Sequence, residues 1–226
     1  MTIRAIVFDF DGVIANSEPL HFRAYRDVLA QAGVTLGEKD YYSRYLGYDD
    51  VGAFTQIGLD RSIAWPREQI AQLVRRKAAV MEELELSESV LFPGAADAIR
   101  RLAADRPLAI ASGALRAEIR RVLQQEDLAK YFAAVVGAED TVASKPAPDP
   151  YIHAVELLSK AIGTRIRPAD CVAIEDSRWG LESARAAGLR TVAVTHTYAA
   201  DALKSAADEI LPNLSHLTQE FLSRFG

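Results

Sequence analysis

Cysteine is all but missing from these 226 residues. Cys171 stands alone, so no internal disulfide can form, and its place in the apolar run Cys171 to Ile174 marks it as a small core residue. A chain without disulfides suits a reducing compartment, and a cytoplasmic location is expected. Long apolar stretches are missing too. No run approaches the roughly 18 residues that a membrane helix needs. The start, Met1 to Arg4 running straight into Ala5 to Phe8 and then acids, lacks a signal peptide's apolar stretch and cleavage site. No membrane partner is expected. Positive charge is in deficit, with 26 Lys plus Arg against 31 Asp plus Glu and a net charge of -5. That is the wrong sign for a general binder of phosphate backbones, and nucleic acid is not an expected partner. What the chain does hold is 50% hydrophobic residues, enough for one sizeable core and a modest second lobe.

Five short apolar runs stand out: Ala5 to Phe8, Leu108 to Ala111, Ala134 to Val136, Cys171 to Ile174 and Thr191 to Val194. Each is of strand length and continuous rather than alternating in polarity, as strands covered on both faces are. Segments with helical spacing, such as Ile119, Val122 and Leu123, lie between them. The pattern predicts an α/β fold with a doubly wound parallel sheet of Rossmann-like type. Between the first two runs lies a long stretch with helical patterns and no convincing strand. It predicts an all-helical cap over residues 16–91, inserted into a core made of 1–15 and 92–226. One cap helix starts near Ser17 and carries Leu20, Tyr25, Val28 and Leu29 before Gly33; another begins at Pro66 and carries Ile70, Leu73, Val74 and Met81.

Four constellations at the ends of these runs carry chemistry. In Asp9-Phe10-Asp11-Gly12-Val13, extended chain puts Asp9 and Asp11 on the same side, at the carboxyl edge where open α/β sheets bind ligands. Two close carboxylates repel unless a cation or a shared proton lies between them. A surface turn, or the start of a calcium loop, would also read this way, but the positions that follow, through Ala15, Ser17 and Leu20, are poor in oxygen donors. In Ala111-Ser112-Gly113-Ala114, a hydroxyl followed by glycine offers a side-chain donor and free backbone N–H groups for phosphate oxygens, but taken alone the feature is weak and an N-cap serine is the expected reading. In Ser144-Lys145-Pro146-Ala147-Pro148-Asp149-Pro150, three prolines hold Lys145 in a defined place. In Ile174-Glu175-Asp176-Ser177, consecutive acids after a buried strand suit a hard divalent cation, and a single acid there would suit a helix N-terminus.

Taken in this order, Asp9-Phe10-Asp11-Gly12-Val13, Ser112-Gly113, Lys145-Pro146 and Glu175-Asp176-Ser177 resemble the four motifs of the haloacid dehalogenase-like superfamily. Ser17-Glu18-Pro19-Leu20-His21 and the helical insertion resemble the branch that holds β-phosphoglucomutase, phosphoglycolate phosphatase and various sugar phosphatases. The dehalogenases themselves are less similar, because they lack the second aspartate that is here Asp11.

The resemblance implies a Mg²⁺-dependent phosphatase of a small phosphorylated metabolite, with a phosphosugar mutase as the alternative and a non-catalytic metal or phosphate-binding module as a third reading. Asp9 would be the nucleophile and form an aspartyl phosphate, and Asp11 the general acid and then the base. Mg²⁺ would be held by Asp9, Asp176 and the carbonyl of Asp11, with Glu175 as a further ligand or behind them. Ser112, the Gly113 N–H and Lys145 would hold the phosphoryl oxygens. The cap would decide the substrate, hinged near Ala15 to Ser17 and Leu91 to Pro93, with His21, Arg44 and Lys77 as its candidate contacts. A solvated charge is the plainer alternative for Lys77. Where the mutase carries a cap arginine, Leu46-Gly47-Tyr48-Asp49-Asp50 offers an acid, and Leu115 follows where the mutase is polar, although Arg116 could compensate. Hydrolysis is therefore favoured over phosphoryl return. His153, His196 and His216 adjoin no motif and are expected to be structural or surface residues. A monomer and a small homo-oligomer are both open.

Overall fold

The computed structural model describes residues 3–46, Tyr48 and 50–225. Met1 and Thr2 of the expected signal-free start lie outside the described residues, as do Gly226 and, in the cap stretch set against the mutase arginine, Gly47 and Asp49. The chain divides into two compact units, one formed by Met1–Asn16 with Val90–Gly226 and the other by Ser17–Ser89.

Among the described residues of the first unit, six strands form one all-parallel sheet. They are β1 (Ala5–Phe8), β2 (Leu108–Ala111), β3 (Phe132–Val136), β4 (Cys171–Glu175), β5 (Arg190–Val194) and β6 (Glu209–Leu211), in the order β3-β2-β1-β4-β5-β6. The chain winds outward from β1 to β3, returns to the far side of β1 and winds the other way, so the direction reverses between β1 and β4. That crevice is where a doubly wound sheet binds its ligand. The continuous apolar runs follow from burial on both faces: every residue of β1, β2 and β4 is buried. Each large aliphatic side chain so covered contributes roughly 1.5–3 kcal/mol. The sixth strand carries no such run, because it is an edge with Glu209 exposed and only Leu211 buried.

The second unit is helical throughout its described residues. Its elements are α1 (Glu18–Gln31), the short α2 (Glu38–Asp40) leading into a π-helical turn over Tyr41–Tyr45, α3 (Asp50–Asp60) and α4 (Arg67–Ser87). Leu20, Tyr25, Val28 and Leu29 are buried on α1, as their spacing predicts. On α4 the buried residues are Leu73, Lys77 and Met81, one stripe at four-residue spacing that includes a lysine. Tyr41, Tyr45, Phe54 and Ile57 complete this unit's own core.

The sheet is covered by α5 (Ala95–Ala103), α6 (Arg116–Gln125), α7 (Asp149–Ala161), α8 (Arg178–Ala186), α9 (Ala200–Leu203) and α10 (Gln219–Arg224). Ile119, Val122 and Leu123 are the buried face of α6. Tyr151, Ala154, Val155 and Leu158 of α7 pack with Val7, Ala109 and Ala173 from the central strands, and Cys171 lies in the same cluster. Burial pushes the Cys171 thiol up to about 12, so it is an inert core group. No helix among the described residues is long and apolar enough to cross a membrane.

Candidate active site

Asp9 leaves the end of β1 with its N–H still donating to the Ile174 carbonyl of β4, at 2.9 Å. The chain then doubles back. The Phe10 carbonyl accepts from Ile14 and Ala15, and the Gly12 N–H donates to the Ala15 carbonyl. Gly12 has φ +76°, and any Cβ there would overlap the Asp176 carboxylate, so only glycine lets the turn lie against that acid. Asp11, between them, is exposed. Ala15 also pairs antiparallel with Leu91, while Phe92 donates to Ile14 and Asn16 to Val90. Ala15, Leu91 and Phe92, expected as hinge residues, are thus held in a short ladder.

Three buried carboxylates converge here: Asp9, Glu175 and Asp176 each offer an oxygen within 4.8 Å of the others. One ammonium faces them. Lys145, on the proline-rich loop, donates to Asp9 Oδ1 and Glu175 Oε1, each at 2.7 Å, and Ser183 of α8 ties that loop by donating to the Ala147 carbonyl. Burial, together with Glu175 and Asp176, raises the Asp9 pKa well above the carboxylate range despite Lys145. Burial, with Glu175 adding to it, lifts Asp176 to about 6 even though the Thr197 hydroxyl donates to it. Burial would depress Lys145, but Asp9 and Glu175 outweigh it and hold the ammonium above its usual range. The cluster is short of positive charge, and hard oxygen donors are the chemistry a Mg²⁺ or Ca²⁺ ion takes.

Glu175 differs from the other two acids. It is fully buried, and both its oxygens are committed to protein donors: Oε1 to Lys145 and the Tyr151 hydroxyl, Oε2 to the Asp176 and Ser177 N–H groups and the Ser177 hydroxyl. Gly180 makes room for it, since a Cβ at that position would overlap its carboxylate. Such an acid anchors Lys145 and the turn into α8 more than it offers a free ligand atom.

On the other side of β1, Ser112 is buried at the end of β2, and Gly113 is exposed. The Ser112 hydroxyl accepts from the Ala114 N–H at 3.1 Å. Helix α6 begins only at Arg116, with Leu115 in the capping position, so Ser112 is not its N-cap. Arg116 is committed elsewhere: its guanidinium is paired with Asp140 through both Nε and Nη2. A phosphate clamp at Arg116, which the sequence suggested, would have to compete with that pairing.

In the helical unit, Lys77 is no solvated charge. It is 3% exposed, donates to Asp50 Oδ1 at 2.7 Å and His21 Nδ1 at 2.8 Å, and sits over the Tyr25 ring. Tyr25 donates to the same Asp50 oxygen. Burial and the adjacent ammonium lower His21 to about 4, so its imidazole is neutral near pH 7. Arg44 is not part of this cluster, being paired with Asp60 and stacked on Tyr45.

Two residues at the sheet edge escaped the sequence reading. His196, expected to be structural or on the surface, has Nδ1 2.9 Å from the Gly12 carbonyl and stacks on Phe92, and Thr197 beside it bonds Asp176. The signal was present: both follow the end of the fifth strand, at the same edge as the other motifs. Among the described residues His153 pairs locally with Glu156 and His216 with Asn213.

Comparison with known proteins agrees with this geometry. The family model for haloacid dehalogenase-like hydrolases matches residues 3–188. Protein CbbY of Rhodobacter capsulatus is 33% identical over 229 residues, covering 95% of each chain. Fructose-1-phosphate phosphatase YqaB of Escherichia coli is 31% identical over 202 residues, covering 84% of this chain and 95% of that one. The crystal structure of CbbY from Rhodobacter sphaeroides in complex with phosphate superposes with a TM-score of 0.76 at 25% identity, over 98% of this chain and 100% of that one. The chain belongs to the haloacid dehalogenase-like hydrolases.

Proposed function

We propose that this chain is a Mg²⁺-dependent phosphatase of a small phosphorylated metabolite, of the sugar phosphate or phosphoglycolate type, working through an aspartyl phosphate on Asp9. The observation that carries it is the position of Asp9: at the mouth of the sheet crevice, bridged by Lys145, with Asp176 alongside. The similarity to a fructose-1-phosphate phosphatase and to a phosphate-bound CbbY supports the substrate class.

Asp9 attacks phosphorus in line; the new O–P bond forms as the bond to the leaving oxygen breaks and its electron pair passes to that oxygen. Asp11, as the acid, gives its proton to that oxygen and releases the alcohol. The resulting Asp11 carboxylate then takes a proton from the water that attacks the phosphorus, which frees Asp9 and inorganic phosphate. Ser112, the Gly113 N–H and Lys145 orient the phosphoryl oxygens. Asp9, Asp176 and the Asp11 carbonyl would hold Mg²⁺, with Glu175 positioned behind through Lys145. When bound, that ion neutralises charge shared between carboxylates and phosphoryl oxygens. The third reading, a pure binding module, would have no use for nucleophile and acid together.

A phosphate-release screen over sugar phosphates, polyol phosphates and phosphoglycolate tests this, with Asp9→Asn as the control. The parent should release phosphate from at least one substrate. The variant should fold and lose at least about 10³-fold in turnover, since an amide is no nucleophile. Activity in the variant within tenfold of the parent would overturn the assignment.

A further inference from the structure

Strand β5 is not a neighbour of β1, yet the loop that follows it reaches the turn after β1. A backbone carbonyl only accepts, so at 2.9 Å His196 Nδ1 carries the hydrogen and donates to Gly12. The opposite side of the contact is equally definite: the imidazole stacks on Phe92 with ring centroids 3.9 Å apart and planes at 21°. Phe92 is tied by its own N–H to the Ile14 carbonyl at 3.0 Å, within the same turn. Gly12 is the residue of this turn that most needs holding. At φ +76° and without a side chain it is the turn's most pliable residue; its N–H donates to Ala15 at 2.9 Å and the Val13 N–H to Phe10 at a long 3.4 Å, and His196 adds the bond to its carbonyl. A shift of this peptide would shift the backbone that carries Asp11. Asp11 is exposed, and its side chain leaves the backbone immediately before Gly12.

We infer that His196 is a positioning residue for Asp11: by holding the Gly12 carbonyl it fixes the turn from which the Asp11 carboxyl delivers its proton to the leaving oxygen. The inference rests on the reading of Asp11 as general acid. Its consequence is specific. A misplaced acid matters in proportion to how badly the leaving group needs a proton, so an alkyl phosphate should suffer where a nitrophenyl phosphate does not.

The test uses the full chain and measures kcat/KM, which reports the steps up to release of the alcohol, across nitrophenyl, phenyl and alkyl phosphates. His196→Phe keeps the stacking on Phe92 and loses the donor. His196→Asn keeps a donor near the Nδ1 position and loses the stacking, while His196→Gln puts its donor where Nε2 was. His196→Phe and His196→Gln should lose about 10- to 100-fold more on the alkyl than on the nitrophenyl ester. His196→Asn should restore most of that difference whatever its melting temperature. Equal losses across the series in His196→Phe, or His196→Gln behaving like His196→Asn, would overturn the inference; the second comparison stands even if His196→Phe fails to fold. Asp11→Asn is the benchmark. If it too shows no dependence on the leaving group, the reading of Asp11 fails first, and the two failures are told apart.

Discussion

Gly180→Ala sets local propensity directly against the site. Gly180 lies in the first turn of α8, where alanine is favoured by about 0.8–1.0 kcal/mol on helix propensity. A methyl group there would overlap the Glu175 carboxylate. Movement of a flexible surface acid would cost little, but Glu175 is fully buried and receives five hydrogen bonds from Lys145, Tyr151, Asp176 and Ser177. Hydrogen bonds to a charged group contribute about 1.5–3 kcal/mol each, so losing two outweighs the propensity gain and leaves a net loss of about 2–5 kcal/mol. Activity should fall as well. Lys145 bridges Glu175 to Asp9 at 2.7 Å on each side, and displacement of the ammonium by an ångström costs on the order of 10²-fold. Urea unfolding should show a lower midpoint with an unchanged slope, and nitrophenyl phosphate hydrolysis should drop in parallel. A variant more stable than the parent, with activity within tenfold, would refute the reasoning.

Excess Mg²⁺ should raise the unfolding free energy by about 2.7 kcal/mol at a hundred times its dissociation constant, and Asp176→Asn should abolish most of that shift; an undiminished shift would remove Asp176 from the metal site. Turnover should vanish in a chelator and fall when Ca²⁺ is in excess, because its looser coordination disturbs the in-line geometry. His21 should contribute a rise in stability with pH between about 4, where burial and Lys77 hold it, and about 6.5, its unfolded value, against the opposite slope from Asp9 and Asp176, whose raised pKa values let the folded chain keep protons. In that window the unfolded chain binds the extra proton; the gain is at most about 3 kcal/mol, less for partial exposure, and urea melts of His21→Gln with the parent's pH slope would refute it. Given β-glucose 1-phosphate and a trace of the 1,6-bisphosphate, the protein should release inorganic phosphate, and glucose 6-phosphate accumulating at a comparable rate would favour a mutase.

The parts of this molecule that the sequence made legible are those set by local pattern. Strands β1, β2 and β4 are buried along their whole length and so read as unbroken apolar runs, while β6 at the edge, with Glu209 exposed, has no such run to read. The acids and the lysine after three strands, and Ser112 after a fourth, were legible because a doubly wound sheet has one ligand edge. Charges whose partners lie far along the chain were not. Lys77, flanked by Arg75 and Arg76, looks solvated until Asp50 is placed beside it, although its spacing between Leu73 and Met81 already put it on the buried stripe. Arg116 looks available until Asp140 pairs with it. His196 lies 184 residues from the carbonyl it holds; its place after the fifth apolar run marks the ligand edge, but nothing in the sequence names Gly12 as its partner.

These long-range pairings also bear on what the protein can grip. A second phosphate would need a cation, and the three cations read as candidates, Arg44, Lys77 and Arg116, are already matched to carboxylates. For Lys77 to turn to a phosphate it would have to leave Asp50, and Asp50 would then keep only the Tyr25 hydroxyl on the oxygen the two donors now share. Removing one partner of a buried charged pair costs several kcal/mol, because the other charge is left without compensation. Lys77 is almost fully buried, and its neighbour His21 is neutral near pH 7, so that imidazole adds no positive charge to take its place. Arg116 would have to break both of its bonds to Asp140, at a smaller cost because its side chain is about a third exposed and solvent screens the pair. Lys145 is the remaining ammonium at the carboxylate cluster, and its two short bonds go to Asp9 and Glu175. Each of these cations is thus already matched to a carboxylate. A bisphosphate would have to displace one of those pairings to hold its second phosphate, and a monophosphate is for that reason the substrate class we expect to be turned over.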